Sequence, residues 1–133
     1  MRNKTTQALW TAFALVTLIV GLSGAALAHH SFSSFNTSTE KTVTGIVKQV
    51  DWTNPHIWIW IDVTNDKGGA DTYGFEGMSP NFLERRSWTR TTLKPGDKVT
   101  VTFNPLRDGK NGGMFRNGKI ESSGKLLSMG GSQ

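Results

Sequence analysis

The chain contains no cysteine, one tyrosine and three histidines, and charged residues make up only 19% of its 133 positions. Without cysteine there is no disulfide framework, no thiolate metal site, no cysteine nucleophile and no lipoprotein anchor. Low charge, five tryptophans and 36% hydrophobic residues exclude a chain too polar to bury a core. Acid is missing locally as well: residues 1–28 hold no Asp or Glu. Long apolar runs are also lacking, since Ala8 to Leu22 falls short of the ~20 residues that span a bilayer.

What stands at the start reads as targeting. Arg2 and Lys4 give a positive beginning, the Ala8–Leu22 run follows, and Ala26-Leu27-Ala28 has the small-x-small pattern of a cleavage site. Arg2 has no adjacent Arg, which argues against twin-arginine export. Residues 1–28 are therefore expected to be a cleaved secretory signal. The mature chain would begin at His29, reach the periplasm and keep no stable membrane anchor. Cleavage removes Arg2 and Lys4 and no acid, so a formal charge of +5 falls to +3. That charge is too small and scattered for a nucleic-acid footprint. Residues 29–133 suffice for a single domain with one modest core.

Within that domain the pattern is mostly strand. Residues 29–40 read as an extended N-terminal arm pinned by Phe32 and Phe35. Residues 41–51 are β-rich, and Gly45 shifts their alternation, which predicts a bulge or sharp bend there. Trp52-Thr53-Asn54-Pro55 makes a turn. From His56 to Val63 the alternation is clean: Ile57, Ile59, Ile61 and Val63 share one face, His56, Trp58, Trp60 and Asp62 the other. Residues 65–69 form a hairpin loop, and a third strand spans Asp71 to Gly77. Ser79-Pro80 opens a helix running through Arg86 toward Trp88. A turn at Leu93–Asp97 precedes a strand at Lys98–Phe103, a Gly-rich loop at Arg107–Gly113, and strands over 114–122 and 125–129.

Three strands, one short helix and two or more strands match the order of an OB-fold, a five-stranded Greek-key barrel. The fold class expected is all-β with one short helix, a small OB-fold-like barrel. The alternative is a small open β-sandwich with the helix capping one end.

Four motifs occur together: His29-His30-Ser31-Phe32, Trp52-Thr53-Asn54-Pro55-His56, Ser79-Pro80-Asn81 with Trp88, and Leu93-Lys94-Pro95-Gly96-Asp97. As a set they resemble a family of small exported bacterial proteins known as a domain of unknown function. The resemblance covers essentially the whole mature chain and implies export and a β-rich domain, with no activity attached. One position departs from it: Asn36 stands where the family pattern carries an Asp near Phe35.

His29, His30 and His56 are all the histidines there are. Cleavage before His29 would give that residue a free α-amine, with a pKa of ~7.7–8.0 that a metal can displace at neutral pH. Amine and imidazole of His29 chelate one ion, and His56 or His30 supplies a third nitrogen. The arrangement resembles the histidine brace of copper proteins, and nitrogen-rich, thiolate-free ligation suits copper(II). Glu76 is a candidate to orient the His56 ring. In an extended arm His30 points away from His29. Cleavage after Ala26 would instead place His29 third, a copper motif that needs no His56. The plainer reading makes His29 part of a frayed terminus and His56 a turn-capping residue.

A second function class is a non-catalytic binding module, with Trp58, Trp60 and Tyr73 on strands two and three holding a small ligand or a periplasmic protein partner. Arg85, Arg86 and Arg90 read as a solvated helix face. Residues 108–113 have glycines without the Lys-Ser/Thr of a phosphate loop. No Gly-x-Ser-x-Gly elbow and no paired carboxylates appear, so a binding protein is expected rather than an enzyme.

Overall fold

Six strands follow the alternating segments of the sequence in the computed structural model, which describes residues 33–129. They are β1 (Lys41–Asp51), β2 (Trp58–Thr64), β3 (Ala70–Glu76), β4 (Lys98–Pro105), β5 (Gly112–Ile120) and β6 (Leu126–Ser128). One helix, α1 (Pro80–Glu84), lies between β3 and β4. The expected signal segment, its cleavage site, His29, His30 and Phe32 lie outside the described residues. The barrel belongs to a unit that begins at Phe35.

The sheet runs β3-β2-β1-β4-β5-β6 and closes on itself because β3 also pairs with β5. Every pairing is antiparallel except this closing one, a parallel seam of Gly74, Phe75 and Glu76 against Gly112, Gly113 and Met114. The result is a five-stranded barrel with OB-fold connectivity, to which β6 adds a short edge strand. The sandwich alternative is thereby set aside, since an open sandwich has no such seam.

β1 holds the barrel together by serving two neighbours. Lys41 to Ile46 pair with β4, and Ile46 to Asp51 pair with β2. The handover falls at Gly45 and Ile46, where a Cβ on Gly45 would stand 2.5 Å from the Asp62 carbonyl oxygen. The glycine thus permits close strand approach, but the bulge expected there lies further on. Register slips between Val47 and Gln49, leaving Lys48 as the extra residue. Val47 before the slip therefore belongs to the core cluster and Val50 after it packs against that cluster, while Ile46 faces outward, 44% exposed.

Val47, Ile59, Ile61, Phe75, Val99, Val101 and Phe103 fill the interior with almost no exposure. Phe75 and Phe103 meet with ring centroids 4.9 Å apart. Ile57, just ahead of β2, is also fully buried and exchanges backbone bonds with Gly77 and Met78.

The helix is shorter than the sequence suggests. Ser79 caps its start, accepting from the Phe82 N–H, and Pro80 occupies the first turn. It stops after Glu84 because Ser87 adopts a left-handed φ of 63°. Trp88 N–H then donates to the Leu83 carbonyl and Ser87 N–H to that of Glu84, the bond pair of a Schellman ending. That ending turns Trp88 inward, edge-on to Phe115 at 6.0 Å, while Leu83 is sealed in the core.

Candidate functional site

The outer face of β2 carries the side chains that alternation assigned to it. Trp58 pairs across with Glu76, Trp60 with Gly74 and Asp62 with Thr72, so these six share one surface. Trp60 lies over Gly74: a Cβ there would stand 2.5 Å from its ring. A strand glycine covered by a cross-strand aromatic regains the packing it lacks. The Trp60 indole N–H donates to Asp51 Oδ2 at 3.0 Å, and Asp51 Oδ1 accepts from the Gln49 amide. Trp58 stacks on Trp60 with centroids 5.5 Å apart and planes 17° from parallel. Both rings are partly exposed.

At one end of this stripe His56 Nδ1 is hydrogen-bonded to Glu76 Oε1. The turn at Trp52–Pro55 delivers the imidazole, and the end of β3 delivers the carboxylate. The His56 side chain is 34% exposed and that of Glu76 15% exposed. A carboxylate on Nδ1 favours the tautomer with hydrogen there, leaving the Nε2 lone pair outward. Among the described residues Nε2 has no hydrogen-bond partner. That is the second partner a metal-ligating histidine carries in protein sites.

At the other end, Thr72 donates to Asp62 Oδ1 at 2.6 Å, and Lys48, the bulged residue, reaches Asp62 at 3.6 Å. The stripe therefore grades from an imidazole–carboxylate pair, through two stacked indoles, to a lysine–aspartate contact.

Sequence reasoning placed His56, Glu76, Trp58 and Trp60 together, and they are neighbours. Tyr73 is not with them. It pairs with Ile61, which turns it to the inner face, where it stacks on Phe75 at 6.2 Å and meets Phe103 edge-on at 6.3 Å. An aromatic ligand face built from all three rings is therefore corrected to Trp58 and Trp60 alone. Asp51 and Gln49, which anchor Trp60, escaped the sequence reading; their place beside Trp60 follows from the slip at Lys48. Arg85, Arg86 and Arg90 are all exposed; Arg86 lies over the Phe82 ring, 3.7 Å from its centroid, and Arg90 donates to the Trp52 carbonyl at 3.3 Å.

His29 and His30 lie outside the described residues, so their relation to His56 is not part of this geometry. Among the described residues no three His, Cys, Asp or Glu side chains gather in one place, and no helix is long and apolar enough to cross a membrane. His56 and Glu76 form a pair that needs further donors to hold an ion.

A family described as a family of unknown function (DUF6152) matches residues 16–116. No curated protein matches the chain, and no solved structure does.

Proposed function

The chain belongs to DUF6152, a family whose description carries no activity, and from its own residues we propose that it is an exported copper(II)-binding protein. In this reading residues 1–28 are removed, the mature protein works in the periplasm, and it carries or senses the ion rather than oxidising a substrate. The His29 amine and imidazole supply two nitrogens, and His56 Nε2 supplies the third, with His30 as the other candidate. One observation carries the reading: Glu76 occupies Nδ1 of His56 and leaves Nε2 for a ligand.

The chemistry suits copper. Three neutral nitrogens without thiolate favour the ion that tops the divalent affinity order.

The test starts from protein expressed from the full-length reading frame. Intact mass fixes the cut, and copper(II) titration follows. His56→Ala and a form with one extra residue ahead of His29 are each expected to weaken binding at least tenfold. Glu76→Gln, which keeps the shape but not the charge, should weaken it about tenfold. Equal binding in wild type and His56→Ala would overturn the role of His56 and point to a terminal motif alone. A mature chain beginning beyond His30 would remove the proposal altogether.

A second reading rests on the stacked, partly exposed Trp58 and Trp60. They form a platform on which a periplasmic partner or small ligand could dock without metal. Under it, tryptophan fluorescence responds to the partner and ignores copper.

A further inference from the structure

At the end of the barrel away from α1, the start of β1, the end of β4 and the β4–β5 loop enclose a cavity of about 280 Å³. Its walls include Lys41 and Lys110 and no acidic side chain. Val43, Phe103 and Tyr73 give it an apolar floor, and Asn111 adds a polar group at the rim.

The two cations differ. Lys110 is engaged by Asp108, with Nζ 3.1 Å from Oδ2. The Lys110 backbone N–H first, and its ammonium second, hold the Asp108 carboxyl below its ordinary range. Lys41 has no ion-pair partner among the described residues. Tyr73 is half-buried, yet its hydroxyl makes no hydrogen bond to another described residue. A half-buried hydroxyl without a protein partner keeps a donor and an acceptor for something else.

The loop is held in place beforehand. Leu106 N–H donates to the Gly112 carbonyl at 3.2 Å, and Gly109 N–H to that of Leu106 at 3.4 Å. Lys110 N–H donates to Asp108 Oδ1 at 3.1 Å. A wall already ordered costs a ligand little entropy to engage.

We propose that this barrel mouth binds a small organic anion carrying a single ring, its anionic group on Lys41 and its ring against Tyr73 and Phe103. Size limits the ligand, since sites for drug-sized molecules begin at about 300 Å³. Sign limits it too: Lys41 adds an uncompensated positive charge to walls that carry no acidic side chain, which selects against neutral and cationic relatives. The site shares no residue with the His56 stripe, so it stands or falls independently of copper.

Tyr73 is the only tyrosine in the chain, so 3-fluorotyrosine labelling gives one 19F resonance reporting on the cavity. Benzoate is the probe, and benzyl alcohol is its neutral counterpart. Benzoate is expected to shift the resonance saturably, and benzyl alcohol to bind at least fivefold more weakly. Lys41→Gln, on an exposed strand position, should weaken benzoate about fivefold while leaving the unfolding midpoint in place. Lys110→Gln, which also frees Asp108, should weaken it further. No shift with millimolar benzoate, equal shifts from both probes, or unchanged affinity in Lys41→Gln would each overturn the proposal. If Lys41→Gln lowers the unfolding midpoint, Lys110→Gln alone decides it on the same criterion.

Discussion

Gly112→Ala tests how the barrel is shut. Gly112 sits at φ 127°, a region natural to glycine alone, and a Cβ there would lie 2.0 Å from the Gly74 carbonyl oxygen. Backbone conformation by itself costs about 1–3 kcal/mol. The overlap is with backbone, which cannot rotate away, so β5 must withdraw from β3. Withdrawal strains the Gly74 N–H bond to the Asn111 carbonyl, 3.3 Å, and the Leu106 N–H bond to that of Gly112, 3.2 Å. At about 1 kcal/mol per bond the total reaches about 4 kcal/mol, a large share of the ~5–15 kcal/mol that a domain possesses. Gly96→Ala is the control: its φ is also positive, at 94°, but nothing lies within 4 Å of the added Cβ. It should lose only the conformational part. Urea unfolding followed by tryptophan fluorescence measures both, and the gap should be about 2 kcal/mol, or roughly 8–16 °C in midpoint. If the two variants fall within about 0.5 kcal/mol, the close approach of β3 and β5 is not what seals the barrel.

Other outcomes are expected as follows. Leu83→Ala truncates a fully buried side chain that α1 seats in the core beside Pro80, and thermal unfolding should show a loss of about 3 kcal/mol. Glu121 is held below its ordinary value of 4.5, first by the Thr100 hydroxyl and then by Lys119. With the folded pKa depressed, this contribution is present above pH about 4.5 and is lost as pH falls through the depressed value. Thr100→Val should raise the Glu121 titration midpoint, read by carbon-13 NMR, and an unmoved midpoint would refute the hydroxyl's role.

Local pattern made β2 plain, because alternation of isoleucine with His, Trp and Asp over eight residues fits nothing else. The strand order followed from the succession of elements around one Ser-Pro helix start. What stayed hidden was register. Tyr73 alternates correctly within β3, but which face of β2 it joins depends on how Ile61 meets it across the hairpin. A glycine at position 45 marks the sequence for a bulge, whereas the slip at Lys48 leaves no local mark. Gly112 and Gly113 read as loop because glycines suggest one, yet they are strand, chosen for closeness to Gly74 and to the Asn104 carbonyl. The helix end was missed because Ser87 takes the left-handed position that glycine ordinarily signals. His56 and Glu76 could be paired from sequence because His56 just precedes β2 and Glu76 ends β3, both on the polar face.

The double pairing of β1 also orders how the chain can assemble. Asp51 meets Trp58 across a short turn, and Thr64 meets Ala70 across a tight hairpin, so a β1-β2-β3 meander closes only small loops. The first half of β1 has no such neighbour nearby: Lys41 pairs with Phe103, and the seam joins Gly74 to Gly112. Those contacts enclose long stretches of chain, and their closure entropy is paid before any contact repays it. Half of β1 can therefore be zipped while the other half waits with Val43 uncovered, an open edge that ends only when β4 arrives.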